Sequence, residues 1–103
     1  MPVRIETSDK TVTARLEGEI DHHTAKPMRE AIDSAVIRLR PEVLRLDFSA
    51  VGFMDSSGVG LIMGRYRLLS GTGGSVEITG ASAGAQRMLR MAGLSRLGIK
   101  GIN

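Results

Sequence analysis

Two serines and an aspartate stand together in Phe53-Met54-Asp55-Ser56-Ser57-Gly58-Val59-Gly60, the stretch of this chain best equipped for chemistry. It follows a run patterned as a buried strand and precedes one patterned as a helix. At such a junction the first backbone N–H groups of the helix lack partners, and the helix dipole favours negative charge. A hydroxyl there can bind an anion or receive a phosphate. It can equally be a helix cap. The residue types alone leave all three uses open.

Catalytic uses fare worse. Neither Ser56 nor Ser57 has a glycine two positions before it, so the nucleophile-elbow pattern of a hydrolase is absent. His22 and His23 are the only histidines and hence the only candidate imidazole bases. As sequence neighbours they are expected to point apart, so at most one could serve. No third ligand at suitable spacing joins them, which argues against a metal site. The chain has no cysteine, which removes disulfides, thiolate metal sites and cysteine nucleophiles together. Gly58-Val59-Gly60-Leu61-Ile62-Met63-Gly64 resembles a loosened dinucleotide-binding fingerprint, with Glu77 downstream. Its spacing has one residue too many, the loop from Phe48 to Gly58 is too long for the tight turn, and the chain is too short for a two-halved dinucleotide domain. Gly60 and Gly64 read instead as a small face where a helix packs closely on a sheet. The Gly71–Gly74 run lacks the Lys-Ser/Thr ending of a phosphate-binding loop. No cofactor is expected.

The elements that must position these residues follow from periodicity. Val3–Glu6 and Val12–Glu17 alternate apolar and polar residues and predict two strands joined through Ser8-Asp9-Lys10. Ala25, Met28, Ile32, Ala35, Val36 and Leu39 recur at helical spacing, with Thr24 as the expected N-cap and Pro41 as the stop. Val43–Phe48 predicts a strand, and Ser57–Ser70 a second helix with Val59, Ile62, Tyr66 and Leu69 on one face. Val76–Ile78 predicts a short strand. Ser82 caps a third helix that Gly93 closes, and Leu97-Gly98-Ile99 reads as a strand fragment. Strands alternating with helices in the order β-β-α-β-α-β-α imply crossover connections and a mixed sheet of about four to five strands. This is an α/β fold in a single domain spanning residues 1–103.

Composition agrees with one soluble globular unit. The 103 residues are 42% apolar and 24% charged, which suits a single core. Only Phe48, Phe53 and Tyr66 are aromatic, so that core must be aliphatic. No apolar run approaches the roughly 20 residues of a membrane span, and the N-terminus lacks a long apolar leader, so a cytosolic location is expected. Charge is uneven, with a net −1 over residues 1–51 and +4 over residues 52–103. The arginines of the second half (Arg65, Arg67, Arg87, Arg90, Arg96) are scattered with no aromatics between them, so they read as solvated helix faces rather than a nucleic-acid surface.

A family resemblance then narrows the serine stretch. Leu46-Asp47-Phe48-Ser49 through Phe53-Met54-Asp55-Ser56-Ser57-Gly58-Val59-Gly60-Leu61 resembles the signature of anti-sigma factor antagonists, the bacterial branch of the STAS domain family. Gly18-Glu19-Ile20-Asp21-His22-His23-Thr24-Ala25 is similar to the family's segment leading into its first helix, and Gln86–Leu94 to its third-helix segment. With Gly64-Arg65-Tyr66 the likeness covers nearly the whole chain and is closest to the sporulation-type members. It implies a small non-enzymatic protein that binds an anti-sigma factor, itself a serine kinase, and so frees a sigma factor for transcription. It also implies that the kinase phosphorylates Ser56, that a phosphatase of the PP2C type reverses this, and that the free protein is a monomer.

On that basis Asp21, His22, His23, Thr24, Asp55, Ser56, Ser57 and Gly58 are expected to form the partner surface, with Ser57 a possible second phosphoacceptor. No direct contact with nucleic acid or membrane is implied. A STAS scaffold module in a stress-signalling complex is the neighbouring alternative, and a nucleotide-binding protein the remote one. Family members commonly continue into another C-terminal helix, where this sequence stops at Asn103.

Overall fold

The computed structural model describes residues 2–103. Strands β1 (Val3–Ser8) and β2 (Thr11–Ile20) form an antiparallel hairpin in which Ser8 faces Thr11. The two-residue turn places Asp9 at φ 55°, a left-handed conformation that Asp tolerates better than most residues. Helix α1 (Ala25–Leu39) then crosses to β3 (Val43–Met54), which pairs parallel with β2. Helix α2 (Ser57–Ser70) crosses to β4 (Ser75–Thr79), which pairs parallel with β3. Helix α3 (Ala83–Met91) follows, and the sheet order is β1-β2-β3-β4. The expected element order and mixed sheet are both present, with four strands.

The core is aliphatic, as composition requires. Val12, Ala14, Leu16 and Ile20 of β2 and Leu44, Leu46 and Phe48 of β3 are buried at alternate positions. Met28, Ile32, Ala35 and Val36 of α1 pack into the same cluster, while Leu39 stays exposed. Arg40 turns left-handed (φ 46°), donates its N–H to the Val36 carbonyl and delivers the chain to Pro41, which ends the helix. At the start of α3 the Ser82 hydroxyl accepts from the Ala85 N–H at 3.1 Å, the expected cap. Gly93 closes that helix at φ 84°.

Three expectations about the frame need correction. First, β3 does not end at Phe48; it runs to Met54 because β2 is long enough to keep pairing with it through two register shifts. Ser49-Ala50-Val51-Gly52 has weak strand propensity, and partner hydrogen bonds override it. The connection to α2 is therefore only Asp55-Ser56, so loop length does not argue against dinucleotide binding, although spacing and chain length still do. Second, Gly60 and Gly64 are not a close-packed face, because a Cβ at either would meet nothing within 4 Å. The helix-start glycine that needs its missing side chain is Gly58, where a Cβ would overlap the Met54 sulfur. Third, Leu97-Gly98-Ile99 is not a strand. Leu94–Leu97 is a 3₁₀ turn, and the tail meets β4 through one bridge, with Ile78 N–H donating to the Lys100 carbonyl at 2.7 Å. The buried Gln86 side chain clamps that tail, donating to the Gly101 carbonyl (2.7 Å) and accepting from the Asn103 N–H (2.9 Å).

Candidate functional site: two helix starts at one sheet end

The parallel pairing of β2 with β3 brings both sequence segments of interest to one place. Ile20 faces Met54 in register, and the Asp55 N–H donates to the Ile20 carbonyl at 3.0 Å. Asp21 and Asp55 thus leave the sheet side by side, each within a few residues of a helix start. Residues 34 positions apart in sequence become neighbours through one strand pair.

Each aspartate caps the helix it starts. The Asp21 carboxylate accepts from the N–H groups of His23 (2.8 Å) and Thr24 (2.9 Å). The Thr24 hydroxyl accepts from the Asp21 N–H (2.9 Å) and donates to the Glu19 carbonyl (2.8 Å). This is a reciprocal capping box in which Asp21 is the working cap and Thr24 its third-position partner. Thr24 itself has helical φ and ψ and makes no capping bond of its own, contrary to expectation. The N–H groups of Thr24 and then His23 hold the Asp21 carboxyl below its ordinary range, because they stabilise the charged form.

At the second start the Asp55 carboxylate accepts from the Ser57 N–H at 2.7 Å, and the Asp55 carbonyl accepts from the Gly58 N–H at 3.0 Å. Ser56 is already helical (φ −62°, ψ −14°), and its hydroxyl makes no capping bond. That side chain is exposed and, among the described residues, makes no hydrogen bond. Ser57 is half-buried and lines a cleft between α1 and α2. The two adjacent serines therefore face different surroundings, a distinction that hydroxyl counting in the sequence could not make.

His22 and His23 do not point apart. Their rings stack with centroids 3.9 Å apart and planes tilted by 39°, both on the exposed turn ahead of α1. His23 Nδ1 lies 4.0 Å from the Asp21 carboxylate. Among the described residues no group of three or more His, Asp or Glu side chains is arranged to hold a metal ion. The exposed ring of Phe53, 54% accessible, borders the same end of the sheet.

One buried charged neighbour of the site was not legible in the sequence. Arg65 is not on a solvated face; it is 6% exposed, one α2 stripe position among Gly58, Leu61, Ile62 and Leu69. Its Nε lies 2.7 Å from Asp33 Oδ1 of α1, and its Nη1 donates to the Leu61 carbonyl at 3.3 Å. Burial lowers the Arg65 pKa from its ordinary value, Asp33 opposes that shift, and nearby Arg29 adds to it. The helical spacing of Leu61, Arg65 and Leu69 was the available signal, since it places the arginine on an otherwise apolar stripe. Among the described residues no helix is long and apolar enough to cross a membrane.

Comparison with known proteins gives the family of this fold. The sequence profile of the STAS domain matches residues 2–100. The chain is 35% identical over 97 residues to an anti-sigma F factor antagonist of Paenibacillus polymyxa, covering 94% of this chain and 83% of that one. It superposes on the anti-sigma factor antagonist SpoIIAA in its unphosphorylated form with a TM-score of 0.81 at 32% identity, covering 92% of this chain and 84% of that one. For the Bacillus cell fate determinant SpoIIAA in the phosphorylated form the TM-score is 0.74 at 32% identity, with 92% and 86% covered. These relatives are regulatory proteins. Sequence profile, identity and superposition together place the chain in the STAS domain family, among the anti-sigma factor antagonists.

Proposed function

We propose that this chain is an anti-sigma factor antagonist switched by phosphorylation of Ser56. In this reading the unphosphorylated protein is a monomer in the cytosol that binds an anti-sigma factor with serine kinase activity and releases its sigma factor. The kinase transfers phosphate to Ser56 and ends the complex, and a PP2C-type phosphatase restores it. The chain catalyses nothing itself, and its whole length serves as one STAS domain. The observation that carries the reading is the Ser56 hydroxyl: it is exposed at a helix start whose capping is done by Asp55. A group with no structural duty can be modified without dismantling the fold.

The same geometry supports a switch. Phosphorylation adds about −1.5 to −2 charge and a tetrahedral group at the mouth of α2, where the dipole favours it. Asp55 and Asp21 stand beside it, so a docked partner meets concentrated negative charge. Asp21, His22, His23 and Thr24, with Asp55, Ser57 and Gly58, form the surrounding contact surface. A loss of about 3 kcal/mol in binding would weaken association by roughly 100-fold. The test is incubation with the cognate kinase and ATP followed by mass mapping. Ser56→Ala is expected to bind the kinase and accept no phosphate, and Ser56→Asp to bind weakly. Full phosphorylation of Ser56→Ala would overturn the site assignment.

A further inference from the structure

The cleft between α1 and α2, about 250 Å³ in volume, is lined by Ala25, Arg29, Ser57, Gly60, Leu61 and Arg65. Ser57, next in sequence to the exposed Ser56, lines it. Its chemistry does not balance within the protein. Two guanidinium groups, Arg29 and Arg65, line it; among the described residues Arg65 pairs with Asp33 and no carboxylate lies within ion-pair distance of Arg29, which leaves a surplus positive charge. Arg65 is 6% exposed, yet among the described residues the only aligned hydrogen bond from its five N–H donors goes to the Leu61 carbonyl. Its Nε and Asp33 Oδ1 approach to 2.7 Å off the bond axis, and both atoms are buried without a hydrogen-bond partner. Nε is thus committed to Asp33, while among the described residues Nη2 makes no hydrogen bond within the protein and is left to meet an anion.

The first amides of α2 are not what the cleft offers. Ser57 and Gly58 donate to Asp55, and Val59 donates to the Ser56 carbonyl. The recognition groups are the two arginines and the Ser57 hydroxyl, with open space over Gly60, where a Cβ would touch nothing. We propose that this cleft is a binding site for a phosphate dianion, held by Arg65 from the buried side and Arg29 from the solvent side. A planar guanidinium matches phosphate oxygens in charge and geometry, and the anion would cancel the surplus charge. Ser57 supplies a hydroxyl donor at its rim. The phosphate can come from solution or be carried covalently by Ser57, the serine that lines the cleft. Only the second source rests on the functional reading above.

The test follows the Arg65 Nε–H and Ser57 amide signals in ¹H–¹⁵N spectra of the whole chain. Inorganic phosphate is titrated against sodium chloride at matched ionic strength, which needs no kinase. Saturable shifts with phosphate alone, weakened about fivefold or more in Arg29→Gln, support the site. Arg29 is exposed, so that variant is expected to fold, and its amide spectrum checks this. In a second arm the protein is phosphorylated with kinase and ATP, the serine hydroxyl proton being replaced by the phosphoryl group with release of ADP. If the same Arg65 signal moves and no longer answers added phosphate, the covalent source fills the cleft. If only the first arm responds, the site takes a free anion. No saturable Arg65 response in either arm, or an unchanged response in Arg29→Gln, overturns the proposal, whatever the fate of Ser56 as a phosphoacceptor.

Discussion

Removing the Asp55 side chain and removing the Ser56 hydroxyl are neighbouring changes with sharply different expected costs. Asp55→Ala deletes the acceptor for the Ser57 N–H, a charge-assisted bond of 2.7 Å. Loss of such a cap costs about 1 kcal/mol, and loss of the negative charge at the dipole's positive end adds about 0.5 kcal/mol. For a domain of this size the total of about 1.5 kcal/mol lowers the melting temperature by roughly 6–8 °C. Asp55→Asn keeps an acceptor and loses the charge, so it should fall by about a third as much. Ser56→Ala removes a hydroxyl that makes no capping bond, at a residue already in helical conformation, where alanine is favourable. Its expected effect lies within about 0.5 kcal/mol. Circular dichroism melts and urea unfolding of the three variants decide the matter. A Ser56→Ala loss equal to that of Asp55→Ala would mean that the hydroxyl caps the helix after all. Ser56 would then not be free for modification.

The buried Arg65–Asp33 pair offers a second check. Asp33→Ala leaves the guanidinium without its countercharge and should cost about 2–3 kcal/mol in urea unfolding, whereas Asp33→Ala with Arg65→Met should recover most of it; equal losses would refute the coupling. Gly80 holds φ +69° with its Cα against the Ser49 backbone, a Cβ there falling 2.8 Å from Ser49 N. Gly80→Ala should therefore destabilise by about 2 kcal/mol or more, and a loss below about 0.5 kcal/mol would count against the conformation. The Asp21 carboxyl, held below 3.8 by the Thr24 and His23 N–H groups, contributes stability that is present above that value and lost as pH falls through its lowered pKa. Carbon-detected NMR titration should place it below 3.8, and a value at or above 3.8 would contradict the cap.

Much of this was legible from residue patterns. The helical recurrence of Met28, Ile32 and Val36 located α1 because a buried stripe is a one-dimensional signal. Ser82 announced α3 because its cap is a local bond. What stayed hidden depended on partners distant in sequence. The last six residues of β3 exist as strand because β2 pairs with them, and nothing in Ser49-Ala50-Val51-Gly52 says so. Thr24 and Ser56 both looked like caps by residue type, and in each case the aspartate within three positions took the role because carboxylate oxygens reached the amides. Arg65 looked solvated because arginines usually are, and its burial follows from Asp33 lying opposite on another helix. The segments of the candidate site were readable, but their adjacency was not.

That adjacency has a kinetic meaning. Asp21 and Asp55 meet only after the parallel β2–β3 pairing has closed a loop that contains all of α1, a non-local step of the kind that slows folding. A nascent chain, or a short peptide carrying Asp55-Ser56-Ser57, has the residues but neither the paired sheet end nor a stable helix behind them. An enzyme that reads the assembled surface would thus act only on chains whose non-local contacts are complete. Modification at this position would then double as a record that the molecule bearing it had folded.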